Sequence, residues 1–208
     1  MATLPHPARA DRAPLALVIP AVLVAVYGLA TAAVPGFGAP FLADRFATLF
    51  GPTVAHLVFG PIALAAGAFQ FSARIRETQP ALHRRIGWVY NTCVLISGVG
   101  GLVMARVSDG GAWTHWGFGL LAVFWLGTTA MALRAILRGE VEAHERWMRR
   151  SYALCLGAVT LRILLPLLAA TGLPFVVAYR IVSWASWLVN LALLEWWLLR
   201  RVVAGSEA

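Results

Sequence analysis

Six runs of roughly 20 apolar residues, each bounded by helix breakers, constrain this chain more than any other feature. A bilayer core about 30 Å thick takes about 20 residues of helix to cross, and a helix satisfies its own backbone where no water can. The runs cover about 15–35, 52–72, 86–106, 115–136, 148–171 and 174–198. PGFGAP, ETQP, SDGG, RGE and TGLP separate them in turn, and TGLP is short enough to make runs five and six a tight antiparallel hairpin. The fold class expected is all-α: a polytopic membrane protein, a bundle of six transmembrane helices. Composition agrees, since 60% of the residues are hydrophobic and 12% charged, about half the charged share of a soluble domain.

The chain divides on this reading into an N-terminal tail, 1–14, one six-helix domain, 15–200, and a C-terminal tail, 201–208. ALVIPAVLVAVYGLATAAVPG is long enough to span and is read as a retained first helix rather than a cleaved signal.

A net charge of +8 in a soluble chain would point to nucleic acid. Here the basic residues, all arginine, collect in short loops beside the apolar runs, so no nucleic-acid partner is expected. On the side of the N-terminus lie Arg9, Arg12, Arg74, Arg76, Arg84, Arg85, Arg134, Arg138, Arg146, Arg149, Arg150, Arg200 and Arg201, and on the other only Arg45 and Arg106. That asymmetry puts both termini in the cytoplasm of a bacterial inner membrane.

Runs two to three and four to five read as a weak repeat. Each begins with a histidine, His56 or His115, crosses, passes a basic linker and re-enters through another, His83 or His144. Trp88, Tyr90 and Cys93 follow the first inner histidine; Trp147, Tyr152 and Cys155 follow the second. His56 and His115 fall at the outer mouth, His83 and His144 at the inner one. Imidazoles on facing helices can hold a haem iron from both sides, so haem b is the cofactor expected, with His83 and His144 as iron ligands and a quinone or redox protein as partner. The plainer alternative is that these rings sit at headgroup level as amphipathic residues do. The ligand order also resembles that of the cytochrome b561 group. The two cysteines read as small buried apolar residues.

Arg162, inside run five, needs compensation. At about 22 Å beyond Trp147 it is too deep to reach the inner surface, and Arg180 of run six falls near the same level. An anionic group between the two is one expectation: a haem propionate, a lipid phosphate or a carboxylate. The other is that Arg162 caps carbonyls freed at the Pro166 kink. Arg180 reads as a snorkelling residue. Glu195 is expected to pair with Arg149 or Arg150, or to orient an inner histidine. Gln70, Asn91, Thr160 and Asn190 offer interhelical hydrogen bonds, and Ala63 with Gly67, and Ser97 with Gly101, suit close packing.

The phrases HLVFGPIALAAGAFQF, RIRETQPALHRRIGWVY, HERWMRRSYAL, TLRILLP and AYRIVSWASWLVNLALLEW resemble the membrane family of domain of unknown function 2306, over about His56 to Glu195. The resemblance implies a multi-pass bacterial membrane protein and carries over no activity. Matching positions are His56, Gln70, Arg76, His83, Arg84, Trp125, His144, Trp147, Arg150, Arg162, Trp184, Asn190 and Glu195; His115 lies outside the pattern. The function expected is a haem-binding transmembrane electron carrier with His83, His144, His56, Arg162 and Glu195 at its sites. The alternative is a non-enzymatic accessory protein, or a lipid or small-anion binder with a structural polar network.

Overall fold

Each apolar run becomes a helix, and the connections hold more structure than their breakers announced. The computed structural model describes residues 13–34, 36–38 and 41–206, with side chains for 16–34, 36–38 and 42–200. Among them are α1 (Ala13–Ala33), α2 (Phe41–Thr48), α3 (Phe50–Gln70), α4 (Ala73–Thr78), α5 (Pro80–Ala105), α6 (Ala112–Leu137), α7 (Val141–Cys155), α8 (Gly157–Ala170) and α9 (Phe175–Ser206). Six stretches are long and apolar enough to cross a membrane: in α1, α3, α5, α6, α7 with α8, and α9. The chain is an all-α, multi-pass integral membrane protein whose outer faces meet lipid.

Three boundaries differ from the sequence reading. α5 starts at Pro80, whose missing N–H costs nothing at a first helical position, so His83 stands in its first turn. α9 runs on to Ser206, into the stretch expected as a tail. The fifth span is two helices joined at Leu156. There Asn190 Nδ2 donates to Ala153 O at 3.2 Å and Thr160 Oγ1 to Asn190 Oδ1 at 2.9 Å. These bonds stitch the joint to α9. Most of residues 1–14 lie outside the described residues.

Packing sets up the site. α3 lies against α5 and α1; α6 packs on α5 and α7; α7 touches α3 and, with α8, packs on α9; α8 also meets α1. The helices α3, α5, α6 and α7 thus close a four-membered ring in which α5 and α7 are diagonal. The spans that carry His83 and His144, expected as facing helices, are α5 and α7; they face each other across the axis, with α3 and α6 packed between them. Small residues decide it: a Cβ on Gly100 would come within 2.7 Å of Pro52 O, and one on Gly101 within 2.9 Å of His56 Nδ1. Such close approach commits α5 to α3. The two closest hairpins, α3–α5 and α6–α7, are the units of the sequence repeat.

Across the axis the diagonal helices meet through side chains. Tyr90 and Ser151 hydroxyls lie 2.6 Å apart, Ser151 and Thr129 hydroxyls 2.6 Å, and Trp125 Nε1 reaches Tyr90 OH at 3.4 Å. Tyr152 OH donates to Leu64 O at 3.1 Å, its ring centroid 6.4 Å from that of Tyr90. The tyrosines of the two repeat units therefore fill one centre together. Cys93 and Cys155 are buried free thiols beside them.

Candidate functional site

Polar residues within the spans fall at three levels, and the register of α5 explains why. His83, Tyr90 and Ser97 are seven residues apart, two turns each, so they share one face about 10 Å apart along the axis. On α7, His144 and Ser151 repeat that spacing. Since Tyr90 and Ser151 meet on the axis, the histidines two turns before them face it as well, at the end of the bundle holding the arginine-rich connections.

At this basic end, His144 Nδ1 lies 2.9 Å from Ala132 O. A carbonyl only accepts, so Nδ1 carries the hydrogen of this bond and Nε2 is left for another partner. His83 Nδ1 is buried without a hydrogen-bond partner, while Gln70 Nε2 donates to the His83 carbonyl at 3.1 Å. His144, Arg76, Arg84 and Glu145 are its charged or titratable neighbours. Glu195 orients neither imidazole. It takes a two-pronged pair from Arg150, Nε to Oε1 at 2.6 Å and Nη2 to Oε2 at 2.8 Å, and so clamps α9 to α7. The Arg150 guanidinium also lies 5.2 Å from the Trp147 ring, and Arg149 bridges Glu145 at 3.1 Å.

At the opposite end the structure separates what the sequence grouped. His56 and His115 form no pair. His56 Nδ1 is 3.1 Å from Ser97 O and 3.2 Å from Ser97 Oγ, whereas His115 Nε2 is 3.1 Å from Ser108 O. The α5–α6 loop captures His115 because Gly110 and Gly111, at φ +105° and +73°, turn the chain back onto it. That loop is anchored by Thr114 Oγ1 donating to Asp109 O at 2.8 Å and by the Arg45–Asp109 pair at 3.1 Å.

Arg162 and Arg180 do not flank a common site either. Arg180 Nε donates to Gly110 O at 2.9 Å, beside a groove lined by Trp113, Val177, Ile181 and Trp184. Arg162 turns to α1 instead. Its guanidinium lies 5.4 Å from the centre of the Tyr27 ring, and its Nη1 donates to Ala158 O at 3.0 Å. The carbonyl that Pro166 deprives of a donor is that of Arg162 itself, four residues back. The guanidinium reaches one turn the other way, so it does not cap the kink. Arg162 Nε is buried with no partner, and among the described residues no carboxylate pairs with this cation. His56 lies within electrostatic range of it.

Arg162 on α8, Tyr27 on α1 and His56 on α3 thus supply a part-buried cation, an aromatic face and an imidazole, with α1 packed on both α3 and α8. Sequence reasoning missed Tyr27, which carried no signal beyond its place in the first apolar run. It also missed the Tyr90–Ser151–Thr129 knot, although the seven-residue spacing from the two inner histidines pointed to it. Among the described residues no three histidine, cysteine or acidic side chains gather as a metal cluster.

A family model described as predicted membrane protein DUF2306 matches residues 53–198. No curated protein and no solved structure matches the chain.

Proposed function

The chain belongs to the DUF2306 family of predicted membrane proteins, and we propose that it is a membrane-embedded binder of an anionic ligand, with Arg162 as the cation that receives it. The observation that carries this is the buried Arg162 Nε without a partner. A charge taken out of water costs several kcal/mol, roughly, unless it is paired and hydrogen-bonded. One carbonyl and one aromatic face leave most of the five guanidinium donors for a ligand. A carboxylate or phosphate supplies the opposite charge and the forked geometry a guanidinium matches. His56 lies within electrostatic range of Arg162, and because Nδ1 is held by Ser97, Nε2 would offer a lone pair to the hydroxyl of a singly protonated phosphate. The arginine asymmetry puts the basic end in the cytoplasm, which sets this site toward the outer half of a bacterial inner membrane.

The test uses the purified full chain in maltoside micelles, with dodecyl phosphate and inorganic phosphate as probes. At least one should raise the melting temperature of the native protein and leave Arg162→Met unmoved. Without ligand, Arg162→Met should be as stable as the native chain or more so, because it removes an uncompensated charge. A variant that is markedly less stable, with neither probe acting on the native protein, makes Arg162 a structural strut and ends the reading.

A second reading attaches to the basic end, where His83 and His144 face the axis in register and His83 Nδ1 lacks a partner. The donor set fits one b-type haem in type: two imidazoles, one oriented through Nδ1 as a ligating histidine is, with Arg76 and Arg84 near His83 to meet propionates. Such a group, when bound, supplies one-electron transfer, and its partner would be a quinone or redox protein. Haem supplementation followed by a reduced-minus-oxidised visible spectrum should give a Soret shift that His83→Ala and His144→Ala each abolish. An unshifted spectrum rules haem out.

A further inference from the structure

The surroundings of Arg162 say which class of anion reaches it. Tyr27, the ring against the guanidinium, is 42% exposed although it faces a cation. It belongs to a stripe of α1, with Ile19 and Leu23 at four-residue spacing before it, that is exposed along its length; Leu23 is 66% exposed. Positions four apart share a helix face, so the stripe forms one edge of the seam where α1 meets α8. On the α8 side Ile163, next to Arg162, and Leu167, a turn on, are also exposed. In a bilayer these residues stand in acyl chains. Phe37 closes the seam toward the near end of the bundle, its ring 5.5 Å from that of Tyr27. One aromatic face thus lies against the guanidinium, and the exposed residues named on either side of it, Leu23, Phe37, Ile163 and Leu167, are apolar.

We infer that the ligand of Arg162 is an amphipathic anion, a phosphate or carboxylate carrying an alkyl chain, which enters sideways from the bilayer between α1 and α8. The inference rests on the anion-binding reading above. The headgroup exchanges the face of Tyr27 for the guanidinium, and the chain lies along Leu23 and Ile163. A free inorganic anion has no comparable route, since apolar walls repel its hydration shell.

The probes are dodecyl phosphate, inorganic phosphate and dodecyltrimethylammonium, each titrated into the full chain in maltoside micelles, with binding read by thermal shift and calorimetry. Dodecyl phosphate should bind about a hundredfold more tightly than inorganic phosphate, the worth of only a few buried methylenes. The cationic probe, equal in chain length, should not bind, which separates the site from general partition into the micelle and needs no variant. Arg162→Met should lose the dodecyl phosphate response, and Arg162→Lys should keep part of it. Equal affinity for the two phosphates would overturn sideways entry while leaving the anion site standing. Binding of the cationic probe as tightly as dodecyl phosphate would also overturn it. No response to either phosphate would remove both.

Discussion

Gly67→Ala should be among the most damaging single-methyl additions in this protein. Gly67 lies on α3 where the two central tyrosines close on its backbone. A Cβ there would stand 2.5 Å from Tyr152 Cδ2 and Cε2 and 2.8 Å from Tyr90 Cε2, about 1 Å inside the ~3.5 Å at which carbon atoms rest. Neither ring has room to yield. Both are buried; Tyr152 is held by its bond to Leu64 O and backed by Phe71 at 5.1 Å, and Tyr90 by Ser151 and Trp125. Overpacking of this kind costs ~1–3 kcal/mol, and loss of the Tyr152 hydrogen bond adds ~1 kcal/mol. Together these lower the melting temperature by about 5–15 °C for a chain of this size. Thermal unfolding in detergent, followed by circular dichroism, reads it directly. Gly127→Ala on α6 is the control, since a Cβ there meets nothing within 4 Å and gains helix propensity. Adding Tyr152→Leu to Gly67→Ala should recover part of the loss by making room. If Gly67→Ala melts with Gly127→Ala, the tyrosine centre is not packed as described.

Ser151→Ala removes a bond from both Tyr90 and Thr129 and should cost about 1–3 kcal/mol; combined with Tyr90→Phe, the loss should fall short of the sum of the single effects, measured by the same melts. Arg150→Ala and Glu195→Gln break the two-pronged clamp between α7 and α9 and should each lower stability by about 1 kcal/mol. Their double variant should be little worse than either alone, and additive losses would show that the pair does not couple. Gly100→Ala drives a methyl to 2.7 Å from Pro52 O, a backbone atom that cannot swing aside, and should cost about 1–3 kcal/mol in the same assay.

The spans were legible because bilayer physics writes itself along the chain: crossing takes a fixed length of apolar helix, and breakers must lie between crossings. The close-packing pairs Ala63 with Gly67 and Ser97 with Gly101 were legible for a similar reason, since a missing side chain four residues from another marks a helix face that a neighbour can approach. Charge and depth alone left Glu195 with Arg149, Arg150 or an inner histidine, and the structure selects Arg150. The short helices α2 and α4 were not foreseen, because Gly and Pro mark the ends of a connection and not what six or eight residues within it do. The histidine pairing failed at the outer mouth because depth along a helix leaves open which way a ring turns. There His115 found a loop carbonyl before it could face His56.

By itself the sequence determined what length and hydropathy impose: six crossings, their hairpin order, and the accumulation of arginine on one side. Those features follow from each helix meeting lipid separately. Which helices are diagonal, that Tyr90 and Ser151 meet on the axis, and that Arg162 turns to Tyr27 rather than to Arg180 were decided only by tertiary structure. Packing is a property of pairs of surfaces, and whether a buried cation has a partner depends on residues far away in the chain.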